Sequence, residues 1–163
     1  MLEAKLGIAP IAWWNDDLEE LSDDVSLEEC LRQASDAGLT GMETGRRFPM
    51  NMDELGPILD RHGISVCGGW FSGLLLDGDI EREKDRIAEQ LAFFKSAKAP
   101  CIVYGETARS VQGHRNIPLS QKPKLSEKDI NLSEQLFPKV KILTEQLNKA
   151  KIKSILNDAE QNK

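Results

Sequence analysis

Short apolar runs alternate with helix-patterned stretches along this chain, and that alternation limits its possible folds more than any other feature. Leu6-Gly7-Ile8-Ala9-Pro10-Ile11 reads as a first strand leading into Trp13-Trp14-Asn15-Asp16-Asp17. A helix then starts at Ser26, whose hydroxyl can cap it while Glu29 returns the bond. Leu27, Cys30, Leu31 and Ala34 keep the i, i+3, i+4, i+7 spacing of one buried face, and Gly38 is the expected left-handed stop. Gly41-Met42-Glu43 is a brief second strand, followed by a loop from Thr44 to Asn51. The next helix, from about Asp53 to His62, contains Pro57 and should begin late or bend there. Ile64-Ser65-Val66-Cys67 is a third strand, running into the glycine-rich Gly68-Gly69-Trp70-Phe71-Ser72-Gly73. A long helix from about Asp79 to Ala97 should bury Ile80, Ile87, Leu91 and Phe94. Cys101-Ile102-Val103-Tyr104 is a fourth strand, passing into Gly105-Glu106-Thr107.

The stretch from Gly105 to about Lys124 lacks periodicity and carries Pro118 and Pro123; structureless segments this long are often functional. Ser126 and Asp129 can cap a last helix with Leu136, Val140, Leu143 and Leu147 on its inner face and a kink at Pro138. Lys151 to Leu156 alternates like a strand, and Asn157 to Lys163 is polar.

Regular βα alternation calls for a parallel sheet covered by helices. An open doubly wound sheet and part of a barrel both satisfy it. No G-x-G-x-x-G loop follows a strand, whereas polar and aromatic residues gather at the C-terminal strand ends, where barrel enzymes place their sites. The expected fold class is therefore α/β, an incomplete (β/α)8 TIM barrel of about four to five parallel strands with outer helices. Residues 1–156 form the N-terminal part of that domain, and residues 157–163 a disordered tail. A complete barrel takes about 200 residues or more, and the chain has 163. It reads as truncated, with an exposed sheet edge through which it could self-associate.

The net charge of −6 opposes binding to phosphate backbones, so nucleic acid is not an expected partner. No apolar run approaches the roughly 18 residues of a membrane span, and Met1-Leu2-Glu3-Ala4-Lys5 does not resemble a secretory signal. Cys30, Cys67 and Cys101 are widely spaced and sit in apolar contexts, which suggests buried, reduced thiols in a cytoplasmic protein.

Chemistry-bearing residues follow four successive strands: Trp13 to Asp17, Glu43, Trp70-Phe71-Ser72, and Tyr104-Gly105-Glu106. In a parallel barrel these ends converge on one mouth. Aromatic faces suit the C–H face of a sugar ring, and Asn, Ser and carboxylates suit its hydroxyls, so an uncharged polyol fits. Trp14, Asn15, Trp70, Ser72 and Tyr104 are the expected substrate contacts, with core or rim packing the alternative for each tryptophan. Glu43 and Glu106 directly follow apolar strand residues, so burial demands a partner or a role. They are the catalytic candidates, unless Arg46, Arg47 or Arg109 pairs with them structurally. The arginines could instead hold a phosphate, though no glycine-rich anion loop supports it. His62 ends a helix, where its cation suits the helix dipole. His114 lacks a second histidine at ligand spacing, so no metal ligands are assigned. No Ser-His-Asp or Cys-His motif is present.

The run from Gly7 to Asp17 resembles the opening of the inosose dehydratases, the 2-keto-myo-inositol dehydratases of inositol catabolism. The likeness continues through Gly41-Met42-Glu43, Gly45-Arg46-Arg47-Phe48-Pro49, Gly69-Trp70-Phe71-Ser72-Gly73 and Val103-Tyr104-Gly105-Glu106-Thr107. It extends to Val111-Gln112-Gly113, Pro118-Leu119-Ser120 and Lys122-Pro123. The resemblance implies a xylose-isomerase-like barrel and a hydro-lyase acting on a small cyclitol, with manganese or cobalt and glutathione as cofactors. It gives Glu43 and Glu106 substrate-orienting or acid/base roles and Asn15, Trp70 and Tyr104 ring contacts. A related sugar isomerase or epimerase, or a non-catalytic half-barrel, are the alternatives. The family's histidine-rich turn is not matched at Ile155-Leu156-Asn157-Asp158-Ala159, which implies that the metal ligands are missing and that the chain is inactive alone.

Overall fold

A computed structural model of the chain describes residues 4–16, 18, 20, 25–77, 80–108, 110, 111, 114, 116–132, 134–136 and 138. Four strands form one all-parallel sheet: β1 (Gly7–Ile8), β2 (Gly41–Thr44), β3 (Ser65–Gly73) and β4 (Val103–Glu106). They lie in chain order β1-β2-β3-β4, joined by helices α1 (Leu27–Asp36), α2 (Met52–His62) and α3 (Ile80–Ser96). Sequential neighbours with helical crossovers make the incomplete (β/α)8 barrel expected from the alternation.

Local chemistry explains most boundaries. Ser26 Oγ accepts the Glu29 amide at 3.2 Å, but the Glu29 carboxylate turns to Arg32 and Gln33, leaving only half of the expected capping box. α1 buries Cys30, Leu31 and Ala34 as its spacing requires. Gly38, at φ 80°, lets the chain reverse while the Leu39 amide reaches back to Ala34 O. Asn51 Oδ1 caps α2 from the Asp53 amide at 2.9 Å. α2 therefore begins at Met52, not late, and Pro57 sits inside it. Of the two outcomes expected of Pro57, a late start or a bend, the late start does not occur; the cap and the buried Leu55 and Leu59 hold the first turns despite the missing amide.

Three strand boundaries also differ from expectation. β1 is two residues long, because Pro10 has no amide to donate and opens a 3-10 turn over Pro10–Ala12. β3 runs nine residues, so Gly68 to Gly73 is strand and not loop. Glycine is a turn signal only without a pairing partner, and β4 supplies one through the register Trp70↔Val103 to Gly73↔Glu106. β4 is correspondingly shifted to Val103–Glu106. Further on, Leu119–Gln121 is a short 3-10 turn. The reciprocal Ser126–Asp129 cap forms, with Asp129 N–H to Ser126 Oγ at 3.2 Å and Ser126 N–H to Asp129 Oδ2 at 3.0 Å. Residues 127–132 are helical after it. Leu136 is buried. Val140, Leu143, Leu147, the expected strand from Lys151 to Leu156 and the polar tail lie outside the described residues.

One face of the sheet meets the helices. Met42 and Val66 from the strands pack with Cys30, Leu31, Ala34, Leu55, Leu59, Phe93 and Phe94 from the helices, and with Trp14 and Phe48 from the loops. Full burial of one such aliphatic side chain stabilises by roughly 1.5–3 kcal/mol. The alternation of strand side chains sends their neighbours to the other, inner face. Gly41 and Gly7 lie against Cys67 there. Register slips by one residue between Met42↔Val66 and Glu43↔Gly68, so β3 carries a bulge at Cys67.

Candidate active site

Glu43 alternates with the buried Met42 and so projects from the inner face. It is half-buried, and among the described residues no hydrogen bond or ion pair engages its carboxylate. Its charge reaches Cys67, whose thiol is raised first by burial and then by Glu43. Trp70 and Ser72 emerge from β3 with exposed side chains. The Trp70 indole is 56% exposed although it is large and apolar. Its ring lies over Gly105 of β4, where any Cβ would collide with it, and its Nε1–H donates to Ser72 Oγ at 3.0 Å. That bond leaves the Ser72 hydroxyl proton free to point outward. Asn15 follows β1, half-buried, with Oδ1 accepting the Leu18 amide at 2.8 Å. Glu43, Trp70 and Ser72 thus share the inner face toward the C-terminal strand ends, and Asn15 stands on the loop after the first strand.

Trp14, expected to touch substrate, is instead a core residue at 1% exposure. Its Nε1–H is spent on Val25 O at 2.8 Å, its ring meets Phe48 edge-on, and Arg47 lies over its face at 5.4 Å. The packing alternative fits this tryptophan, which sits in the core beside Cys30, Leu31 and Phe48. Tyr104, also expected to touch substrate, is half-buried. Its ring packs against Phe71 at 5.8 Å, and its hydroxyl donates to Glu83 Oε1 of α3 at 2.8 Å. It faces the helix side, because Gly105 and not Tyr104 takes the inner-face position next to Trp70.

Glu106 shares that side with Tyr104. Its Oε2 accepts the Leu75 amide at 2.9 Å, and its Oε1 the Ala108 amide at 2.8 Å. A carboxylate held by two amides fastens loops: here it ties the turn after β3 to the turn after β4. Among the described residues, Arg46 and Arg47 do not pair with either glutamate. Arg46 meets Asp16 at 3.5 Å, and Arg47 donates to Val25 O at 3.0 Å. Asp17, Arg109 and Gln112-Gly113 lie outside the described residues. His62 Nε2 stands 2.7 Å from Glu28 Oε2, an α1–α2 surface tie, and His114 is exposed on the loop after β4.

Glu83 was not anticipated. It is 4% exposed in α3, and its Oε1 accepts both the Leu74 amide at 3.0 Å and the Tyr104 hydroxyl. Its Oε2 takes Arg86 Nη1 at 2.6 Å, and Arg86 also donates to Ser72 O at 3.0 Å. Burial, and then Glu83, push the Tyr104 phenol far above its usual range. The signal was present: Ile80, Glu83 and Ile87 follow one helical stripe, so an acid stands where an apolar residue belongs.

A scan against protein-family models finds no match. Curated relatives are found, however. The chain is 37% identical over 128 residues to the inosose dehydratase of Histophilus somni, covering 78% of this chain and 43% of that protein. It is 34% identical over 125 residues to the inosose dehydratase of Serratia proteamaculans, covering 77% of this chain and 42% of the relative. The rhizopine catabolism protein MocC of Rhizobium meliloti is 33% identical over 125 residues, 77% of this chain and 38% of that protein. The resemblance drawn from the ordered motifs is therefore shown, and the chain spans about two fifths of the length of these relatives.

Proposed function

We propose that this chain supplies substrate-facing strands of a hydro-lyase that eliminates water from 2-keto-myo-inositol. The observation that carries the reading is the similarity, over more than three quarters of the chain, to proteins named inosose dehydratase. The site chemistry agrees with it. The exposed Trp70 face suits the C–H face of a cyclitol ring, and the Ser72 hydroxyl and Asn15 amide suit its hydroxyls. Glu43, free of internal hydrogen bonds among the described residues, has its carboxylate available to orient the ring or take the proton beside the ketone. Glu106 then acts through the loops it holds, and not as an acid or base.

The resemblance implies manganese or cobalt together with glutathione. Among the described residues, no group of three or more His, Cys, Asp or Glu side chains is placed to hold a metal. The described residues do not fit a metal centre. On this reading the partner is a small cyclitol and the location cytoplasmic. The chain spans about two fifths of the length of its relatives.

Titrating the purified chain with 2-keto-myo-inositol while following tryptophan fluorescence tests the reading. A saturable change is expected that Trp70→Ala abolishes with circular dichroism unchanged. Its absence at millimolar cyclitol, or its survival in Trp70→Ala, overturns the proposal. The similarity to the rhizopine catabolism protein favours one second reading, a rhizopine ligand, which would then compete more tightly than the inosose.

A further inference from the structure

The cysteines do not share the buried, inert setting expected of them. Cys30 is fully buried in the helix-facing core, and burial pushes its thiol up to about 11. Cys67 is half-buried in β3, and Cys101 is exposed two residues before β4. The register Trp70↔Val103, continued two residues back, sets Gly68 opposite Cys101. Contacts support that continuation. Cys101 Sγ lies 3.5 Å from Cys67 O, and 3.1 Å from where a Cβ on Gly68 would stand. Gly68 therefore leaves open the space in which the Cys101 sulfur sits.

Both thiols face inward. Cys67 Sγ lies 3.1 Å from the Cβ position of Gly7, on the glycine-lined inner face. Cys101 lies two residues before Val103 and so shares its face, and Val103 pairs with the inward Trp70. Neighbouring strands lie about 4.8 Å apart and one residue advances about 3.3 Å. A one-residue diagonal thus separates the two Cα atoms by about 6 Å, within the roughly 4.4–6.8 Å that a disulfide spans.

We propose that Cys67 and Cys101 are a reversible dithiol–disulfide pair that bridges β3 and β4 across the inner face. The oxidant is a low-molecular-weight disulfide. The exposed Cys101, as thiolate, attacks one sulfur of that disulfide, forming a mixed disulfide and releasing one small thiolate. Cys67, after losing its proton to solvent, attacks Cys101 Sγ by rotating from Gly7 toward β4. The second small thiolate leaves, so two protein thiols are oxidised while one small disulfide is reduced to two thiols. The bridge closes a loop that holds most of β3 and all of α3, and constrains the unfolded chain accordingly. It does not depend on the proposed enzymatic function.

The test treats the full chain with hydroxyethyl disulfide, then traps and maps its thiols. The expected product has lost two hydrogens, keeps only Cys30 free, and yields a tryptic peptide pair joined through Cys67 and Cys101. Its urea midpoint should rise and return to the starting value with dithiothreitol. Cys67→Ser and Cys101→Ser should each give only mixed-disulfide adducts. A stable small-thiol adduct on wild-type Cys101 without ring closure overturns the proposal, as do cross-links between chains or three unreacted thiols.

Discussion

Glu83→Ala should be the most damaging polar substitution among the described residues. It removes the acceptor of three donors at once: the Leu74 amide at 3.0 Å, the Tyr104 hydroxyl at 2.8 Å and Arg86 at 2.6 Å. Arg86 is partly exposed and regains water, so its loss is discounted. The Leu74 amide and the phenol are only half-buried or better, and each lost bond costs about 1–1.5 kcal/mol. With the discounted charge pair, the total is about 3 kcal/mol. Urea unfolding followed by circular dichroism measures it. Glu83→Gln keeps the oxygen that serves Leu74 and Tyr104 and loses only the charge toward Arg86, so about 1 kcal/mol is expected. The protein offers an independent probe, because Tyr104 is its only tyrosine. The phenolate absorbance near 295 nm should appear at lower pH in Glu83→Ala than in the wild type. The sign is fixed by linkage. A phenol whose folded pKa is raised contributes stability that is fully present below its unfolded value of 10.0 and is lost as pH rises beyond it. A Glu83→Ala protein within about 0.5 kcal/mol of wild type and with an unmoved phenolate titration would refute the network.

Two further substitutions probe other links. Gly105→Ala places a methyl inside the Trp70 indole, so the ring must swing off β4; a cost of about 1–3 kcal/mol and a changed tryptophan emission are expected in urea unfolding followed by fluorescence. Glu28 is held below 4.5 first by its bond to His62 and then by Arg61. Its contribution is therefore present above that value and lost as pH falls through the lower folded pKa, and Glu28→Gln should flatten the acid limb of a stability–pH curve.

How far the site could be read from the chain depends on which physical rule governs each residue. Glu43, Trp70 and Ser72 stood out because they follow apolar strand residues; that they share one face came from alternation on β2 and from the extension of β3 to Gly73. Trp14 and Tyr104 could not be assigned this way. Aromatic residues suit a core and a mouth equally, and only the partner surface chooses. Phe48 and Arg47 claimed Trp14, and Phe71 and Glu83 claimed Tyr104. Glu106 was legible as a partly buried carboxylate needing partners, but those partners are backbone amides from two loops, which carry no sequence signature.

By itself the sequence determined the order and type of the elements, because the periodicities 2 and 3.6 and the caps at Ser26 and Ser126 act within a few residues. It also determined the parallel, barrel-like arrangement, since short strands alternating with long helices have few other solutions. Tertiary structure alone decided the extent of β3, where pairing with β4 overrode a glycine-rich turn signal. It decided the depth of each aromatic and the burial of Glu83. It also brought Cys67 and Cys101, 34 residues apart in sequence, onto neighbouring strands. Register between strands depends on packing of the whole sheet, and no local pattern encodes it.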